Sequence, residues 1–340
     1  MDRPAFLITI DTEGDNLWSD SRRITTENSG FLPRFQRVCE EYGLRPTYLV
    51  NYEMARCPVF GRFARDVLRR SAAEIGCHIH AWNSPPDYAL TADDFRHKPY
   101  LTEYPAEILW AKVAAHTALL QQTFECPITS HRAGRWGFDG EYARAVSHHG
   151  YIVDCSVTPG VSWRSSPGKS EGPDYSMALS EPYFLDFDDV CRPGGSPLLE
   201  APMTIMRLWP RADRLRARLA PRSVVRAALN RLMPPLSWLR PNGGNTRAML
   251  RLLRRALAEH RPYVEFMLHS SELMPGGSPT FQDEQSIDRL YRQMRTLLGA
   301  ARGRFHPLTL TEFARRYAAE KGGLFRADDA PGPSDRVQDA

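Results

Sequence analysis

No run of about eighteen apolar residues occurs in this chain, so no membrane-spanning helix is expected. Its opening residues, MDRPAFLITID, hold neither the longer apolar stretch nor the small-residue cleavage site of a signal peptide, and cleavage there would remove the acids that follow. A cytoplasmic location is the expectation. Cysteine is sparse: Cys39, Cys57, Cys77, Cys126, Cys155 and Cys191 are scattered through 340 residues with no paired spacing. Such scatter suggests neither a disulfide framework nor a zinc ribbon, and the apolar contexts of several suggest buried thiols. No nucleic-acid partner is expected. What remains, 42% hydrophobic and 25% charged, suits a soluble globular chain of one large α/β domain or two smaller ones.

The chain is organised around Phe6–Asn16, FLITIDTEGDN. Its apolar, β-branched first half, bounded by Pro4 and Gly14, reads as a buried strand. Asp11, Glu13 and Asp15 crowd the second half. Side chains alternate along a strand, so Asp11 and Glu13 share a face. Two such carboxylates repel and lose hydration unless a metal ion or a basic side chain joins them. An acidic strand-to-loop turn is the plainer account, Asp and Gly being common there, and this motif alone does not choose.

Strands are expected next at Thr47–Asn51, Glu74–His80, Ile128–His131, Tyr151–Val157, Leu198–Thr204 and Tyr263–Ser270, with Phe305–Leu310 a further candidate. Helices are expected at Phe31–Gly43, Val59–Ala72, Thr102–Phe124 (apolar stripe Ile108, Ala111, Ala115, Leu119), Gly140–His148, Thr246–His260 and Asp283–Gly299. This alternation predicts a parallel sheet with helices outside, and roughly six to eight units suit a (β/α) barrel at least as well as an open sheet. In either, working groups belong at the C-terminal ends of the strands. Asp11, His78, Arg132, Asp154 and His269 each fall near the end of a different predicted strand.

Two stretches break the pattern. Pro159–Gly195, rich in Gly, Pro, Ser and acids, reads as long loops. Arg207–Arg240 carries nine Arg against one Asp, a net +8 beside the whole chain's +4, so the remainder nets −4. Pro221 divides it into two short helices, with Val225, Leu229 and Leu232 as an apolar stripe beside Arg222 and Arg226. An anionic membrane surface or an acidic ligand would suit such a segment; a solvated basic insertion lying lightly on the domain is the plainer account. The reading is a domain of residues 1–322 with a basic helical insertion around 207–242, and a disordered tail at 323–340.

EIGCHIHAWNSPP sets His78 and His80 two apart, on one face at a strand end. Paired imidazoles hold divalent transition metals, and with Glu13 they form the ligand set of many hydrolytic zinc sites, so zinc is the expected metal. SHRAGRWG contributes Arg132, which beside Asp11 would keep that carboxylate ionised. VEFMLHSSELMPGG sets Glu265, Met267 and His269 on one face, with His269 at the strand end, where an acid of near-neutral pKa is useful.

In order, TIDTEGD, EIGCHIH, SHRAGRWG, VDCSV, LLEAP and MLHSSEL resemble the NodB-homology polysaccharide deacetylases, from about Phe6 to Leu310, and most of all the members associated with lipopolysaccharide and O-antigen biosynthesis. The resemblance implies a distorted (β/α) barrel of about seven strands and metal-dependent hydrolysis of an N-acetyl sugar, with a carbohydrate or lipid-linked glycan as partner. It matches Asp11 to the catalytic base, Glu13 to the acidic metal ligand, His78 to the first metal histidine, Arg132 to the arginine that pairs with the base, and His269 to the catalytic acid. Two departures stand out. D-T-E replaces the usual adjacent aspartates, and Trp82 stands where the second histidine, four residues after the first, is usual. Face parity assigns His80 as the second nitrogen ligand, Asp15 is an alternative or supplement to Glu13, and Asp154 matches part of the fourth motif as an orienting group. Trp82 and Trp136 are candidates for a sugar platform. Three rivals stay open: hydrolysis of another C–N bond, a glycan-binding protein with a degenerate site, and a nucleotide-sugar glycosyltransferase using Asp11-Thr12-Glu13 as its metal motif. The last leaves the histidines and Arg132 unexplained.

Overall fold

A computed structural model describes residues 3–17, 22–220 and 222–322; Pro221 and the tail at 323–340 lie outside the described residues. The strands are β1 (Ala5–Thr12), β2 (Thr47–Val50), β3 (Glu74–Ile79), β4 (Ser130–Ala133), β5 (Val153–Asp154), β6 (Tyr183–Phe184), β7 (Leu199–Glu200), β8 (Ile205–Met206), β9 (Ser237–Trp238), β10 (Tyr263–His269) and β11 (His306–Pro307). Seven run parallel in the order β10-β1-β2-β3-β4-β5-β7. β6 returns antiparallel along β7, β11 pairs with the first residues of β1, and β8 and β9 form a separate antiparallel pair. The sheet curls into the distorted seven-stranded barrel that the resemblance implies. Among the described residues no ladder joins β7 to β10. The gap is bridged by single bonds: Tyr263 Oη to the Pro202 carbonyl, Glu265 N to Thr204 Oγ1 at 2.8 Å and Met267 N to the Leu239 carbonyl at 3.2 Å.

Strand parity sorts the core into two layers. Phe6, Ile8 and Ile10 of β1 pack outward with Leu32 and Phe35, while Ala5 and Leu7 pack inward. Helix Leu310–Glu320 seals one end of the barrel, laying Leu310, Phe313 and Ala314 on Ala5, Leu7, Leu49, Val153, Leu199 and Tyr263. Burying Phe313 alone is worth about 2–3 kcal/mol. The open end is the one where the parallel strands terminate.

Helix Ala106–Phe124 buries Leu109, Val113, His116, Leu120 and Phe124, so the expected stripe of Ile108, Ala111, Ala115 and Leu119 is rotated by one residue. Apolar residues surround most of this helix, and periodicity therefore names no face. Two buried polar heads do: Lys112 Nζ donates to the Ser84 and Pro86 carbonyls, and His116 Nε2 to the Val50 carbonyl at 2.9 Å. Among the described residues, no helix is long and apolar enough to cross a membrane.

Candidate active site

Register places the chemistry. Asp11 is the ladder partner of His269 across β1 and β10, and His78 is that of Arg132 across β3 and β4. Glu13 lies just past β1 and His80 just past β3, each two residues beyond an inward-facing neighbour. The curl brings these side chains to one pocket of ≈ 280 Å³ at the strand ends, lined by Asp11, Glu13, His78, His80 and His269 below and by Tyr100, Arg135, Trp136 and Trp163 around the mouth.

His78 Nδ1 lies 2.9 Å from the Arg132 carbonyl. A carbonyl only accepts, so Nδ1 carries the proton and the Nε2 lone pair faces inward. That buried Nε2 has no hydrogen-bond partner; Glu13 Oε2 is 3.5 Å away and Asp11 Oδ2 4.0 Å. His80 Nε2 lies 2.9 Å from Glu13 Oε2. One ligand atom each from Glu13, His78 and His80 fall within 4.8 Å of one another. An orphaned imidazole lone pair, a second imidazole and a buried carboxylate fit a divalent metal, and the Arg132 carbonyl orients the first ligand as outer partners of metal histidines do. Burial lowers the His80 pKa to about 4 despite Glu13, leaving the ring neutral. Burial also pushes the Glu13 carboxyl up, but His269, His78 and His80 outweigh it and hold it well below the usual range. The backbone around Glu13 is pinned as well, its carbonyl accepting from Asn28 Nδ2 at 2.7 Å and Ser270 Oγ at 3.1 Å. Gly134 gives His80 its room: a Cβ there would sit 2.7 Å from His80 Nδ1 and 2.4 Å from the Ile79 carbonyl.

Arg132 is wholly buried beneath the pocket. Its Nη1 donates to Asp11 Oδ1 at 2.5 Å, its Nη2 to Glu265 Oε1 and to Thr9 Oγ1 (2.8 Å), and its Nε to the Cys155 carbonyl at 3.2 Å. Burial raises the Asp11 carboxyl, but the Arg132 guanidinium, with His78 and His269, outweighs it and leaves Asp11 below its ordinary value. Glu265 goes the other way: burial pushes it up to about 7 against Arg132 and Thr9. A carboxyl that binds its proton more tightly folded than unfolded stabilises the fold at low pH. That contribution is full below about 4.3, the ordinary Glu value, and is lost as pH rises through about 7. Glu265→Gln is therefore expected to flatten the fall in unfolding free energy, measured by urea, between about pH 4.5 and 7, by a slope of up to about 1.4 kcal/mol per pH unit. An unchanged slope would mean that Glu265 is ionised throughout.

His269 is 19% exposed at the side chain, with Nε2 3.6 Å from Asp11 Oδ2 and 3.8 Å from Glu13 Oε1. Arg240 Nη2 donates to its Nδ1 at 2.7 Å and to Glu272 Oε1 at 3.1 Å. A guanidinium only donates, so the ring proton of this arrangement is on Nε2, facing the pocket. Burial raises the Glu272 carboxyl, but His269 and Arg240 outweigh it and hold it at about 2. Around the mouth, Trp238 packs on Trp136 and Trp163 with ring centroids 6.2 and 6.4 Å apart. Arg135 stacks 4.1 Å over Tyr100 and ties down the Ser166 and Pro167 carbonyls. Arg135 and Trp136 both sit at positive φ (57° and 62°), strain of about 1 kcal/mol each that sets these two side chains at the mouth.

Three sequence expectations are corrected. Asp15 is not in the pocket; its carboxylate accepts from Thr25 Oγ1 and Asn28 N, securing the loop after β1. Asp154 points to the outer layer, because Val153 and Cys155 face the interior; it holds His131 Nδ1 at 2.6 Å and Ser156 Oγ at 2.9 Å. Trp82 packs its ring on His80, centroids 4.6 Å apart, and does not line the pocket. Trp136 does line it. Thr9, Arg240, Glu272, Tyr100 and Trp163 are site residues that the sequence reading did not single out.

No family model matches the sequence, and no curated protein matches it. Solved structures do share its fold. A protein provisionally described as a glycoside hydrolase/deacetylase from Parabacteroides distasonis aligns over 96% of this chain and 74% of its own, at 11% identity and a TM-score of 0.63. A provisionally described polysaccharide deacetylase from Mycobacterium smegmatis aligns over 94% of this chain and 92% of its own, at 13% identity and a TM-score of 0.52. A 4-alpha-glucanotransferase from Thermococcus litoralis aligns over 93% of this chain and 41% of its own, at 13% identity and a TM-score of 0.51. At these identities the likeness is one of fold: a curled parallel sheet wrapped in helices.

Proposed function

We propose that this protein hydrolyses the N-acetyl group of an amino sugar in a polysaccharide or a lipid-linked lipopolysaccharide precursor, in the cytoplasm and with zinc as its metal. One observation carries the reading: Glu13, His78 and His80 converge beside an Asp11 that Arg132 keeps ionised, in one pocket with aromatic walls. A nucleotide-sugar transferase has no use for that histidine pair. Two of the fold relatives described above bear names in which deacetylase figures, which agrees with the reading.

A divalent metal held by Glu13, His78 and His80 would supply a Lewis acid, acidifying water and steadying negative charge on an amide oxygen. The chain's own groups do the rest. Asp11 takes a proton from the water that attacks the amide carbon. Arg132 bonds the far oxygen of that carboxylate, so Oδ2 is left facing the pocket. His269 gives its Nε2 proton to the nitrogen as the C–N bond breaks, releasing acetate and the free amine. For that transfer the ring enters as an imidazolium, with Arg240 turned aside and the second proton on Nδ1 facing Glu272 Oε2, 3.7 Å away, so that giving up the Nε2 proton leaves a neutral imidazole. Tyr100, Trp136 and Trp163 offer flat apolar faces to a pyranose ring.

The test is acetate release from a panel of N-acetylated saccharides, with metal content measured by elemental analysis. His78→Ala is expected to lose most bound divalent metal and Glu13→Ala to bind it more weakly. Undiminished metal in His78→Ala would overturn the site. The carboxylates of Asp11 and Glu13 outweigh burial and raise the His78 pKa, so metal competes there with a proton. Affinity should fall by about tenfold per unit as pH drops below neutrality. A protein that binds metal and saccharides yet releases no acetate would be a glycan-binding protein instead.

A further inference from the structure

We propose that helix Val224–Leu232, with the arginines around it, docks this protein on an anionic phospholipid surface. The helix is amphipathic but sits with its apolar side outward. Val224, Val225, Ala228 and Leu232 recur at the spacing of one helical face, and Val224 is 84%, Val225 59% and Leu232 74% exposed. No residue of this helix is buried. Its inner side holds Leu229 and Arg226, both half-buried, and is fastened by polar bonds: Arg226 Nη1 donates to the Leu219 carbonyl at 3.2 Å, and Asn230 Oδ1 accepts from Arg216 Nε at 2.6 Å. Those bonds fasten it to helix Pro210–Ala217, whose Leu215 is also exposed, and to the turn that follows that helix. A merely solvated insertion would turn its valines inward.

Charge selects the occupant. Arg211, Arg214, Arg218, Arg222 and Arg231 are exposed, and none forms an ion pair among the described residues. Asp213, the one acid of the segment, is taken by Arg216. An apolar strip bordered by unpaired guanidinium groups fits the boundary of an anionic leaflet, where the strip enters the acyl edge and the arginines meet phosphates. The strip is also joined to the pocket. Residues 207–236 lie between β8 and β9, and Trp238 of β9 packs on Trp136 and Trp163 of the pocket mouth while Arg240 holds His269. Docking therefore places a bilayer surface one hairpin away from the pocket rim.

The test uses the purified full-length chain without substrate, so its outcome is independent of whether the protein hydrolyses anything. Co-sedimentation is measured with phosphatidylcholine vesicles and with vesicles containing phosphatidylglycerol, at about 0.05 M and about 0.5 M salt. Binding is expected only to the anionic vesicles, and only at low salt. Arg218→Gln with Arg222→Gln should cut the partition coefficient about 25-fold, each arginine counting for about fivefold. Val225→Ser with Leu232→Ser should cut it several-fold at unchanged charge. Both pairs of changes are on the surface and should leave the melting temperature unmoved. Absence of binding to anionic vesicles at low salt would overturn the proposal, as would equal binding by wild type and both variants. So would a dimer, seen by light scattering, that the Val225→Ser, Leu232→Ser variant turns to monomer without any vesicle binding: the strip would then be an interface with a second copy.

Discussion

Asp11→Asn is expected to abolish acetate release, by about 10²–10⁴-fold, while the protein stays folded and keeps its metal. The substitution preserves size, and an amide oxygen still accepts from Arg132 Nη1, but no basic oxygen then faces the pocket. Fold is spared for a specific reason. Loss of the Asp11 charge leaves Arg132 beside Glu265, whose carboxyl is poised at about 7 and can ionise to replace the lost anion. Metal is spared because the converging ligand atoms belong to Glu13, His78 and His80. His269→Ala should also slow turnover and retain metal. Acetate, melting temperature and metal content are measured on each variant. Hydrolysis by Asp11→Asn at the wild-type rate would remove Asp11 from the base role. Asp15 could not inherit it, being bonded into the loop by Thr25 and Asn28.

What was legible in the sequence was what period-two alternation controls. Asp11 with Glu13, and His78 with His80, share faces because a strand allows nothing else, and the β-α alternation put both pairs at the same end of a parallel sheet. The same rule applied to Asp154 would have removed it: Val153 and Cys155 are the inward apolar neighbours, so the acid between them faces outward. Glu265 was visible as a charge inside an apolar run, yet its partner became clear only when the curl set β4 opposite β1 and β10. Arg240 carried no signal, being one arginine of nine in a basic segment. Helix Leu310–Glu320 did carry one. Thr309 and Glu312 form a capping box, and reading the preceding residues as strand obscured it. Tyr100 and Trp163 sit on loops, where no periodicity ties a residue to a face.

Arg132→Met is expected to cost about 3–5 kcal/mol of stability, the usual consequence of removing one partner from a buried ion pair, and to lower the melting temperature by about 5–15 °C. Arg132 is a strut as well as a partner of the base. It starts on β4, crosses the interior and ends on Asp11 of β1 and Glu265 of β10, the part of the barrel where the last gap is bridged by single bonds rather than a ladder. Methionine keeps most of the buried stem volume, so the loss reports charge and hydrogen bonds more than a cavity. The pH dependence separates these causes. In the wild type, the guanidinium overcomes burial and holds Asp11 below its ordinary value, so its stabilisation is present above that value and is lost as pH falls. In Arg132→Met, Asp11 and Glu265 are buried without their cation and bind protons readily, so the variant recovers as pH falls. The stability difference between the two proteins, measured by urea unfolding with chelator present, should therefore be largest near pH 7 and shrink toward pH 4. A deficit that stays constant across that range would assign the loss to packing alone and end the account of Arg132 as the counter-charge of the catalytic base.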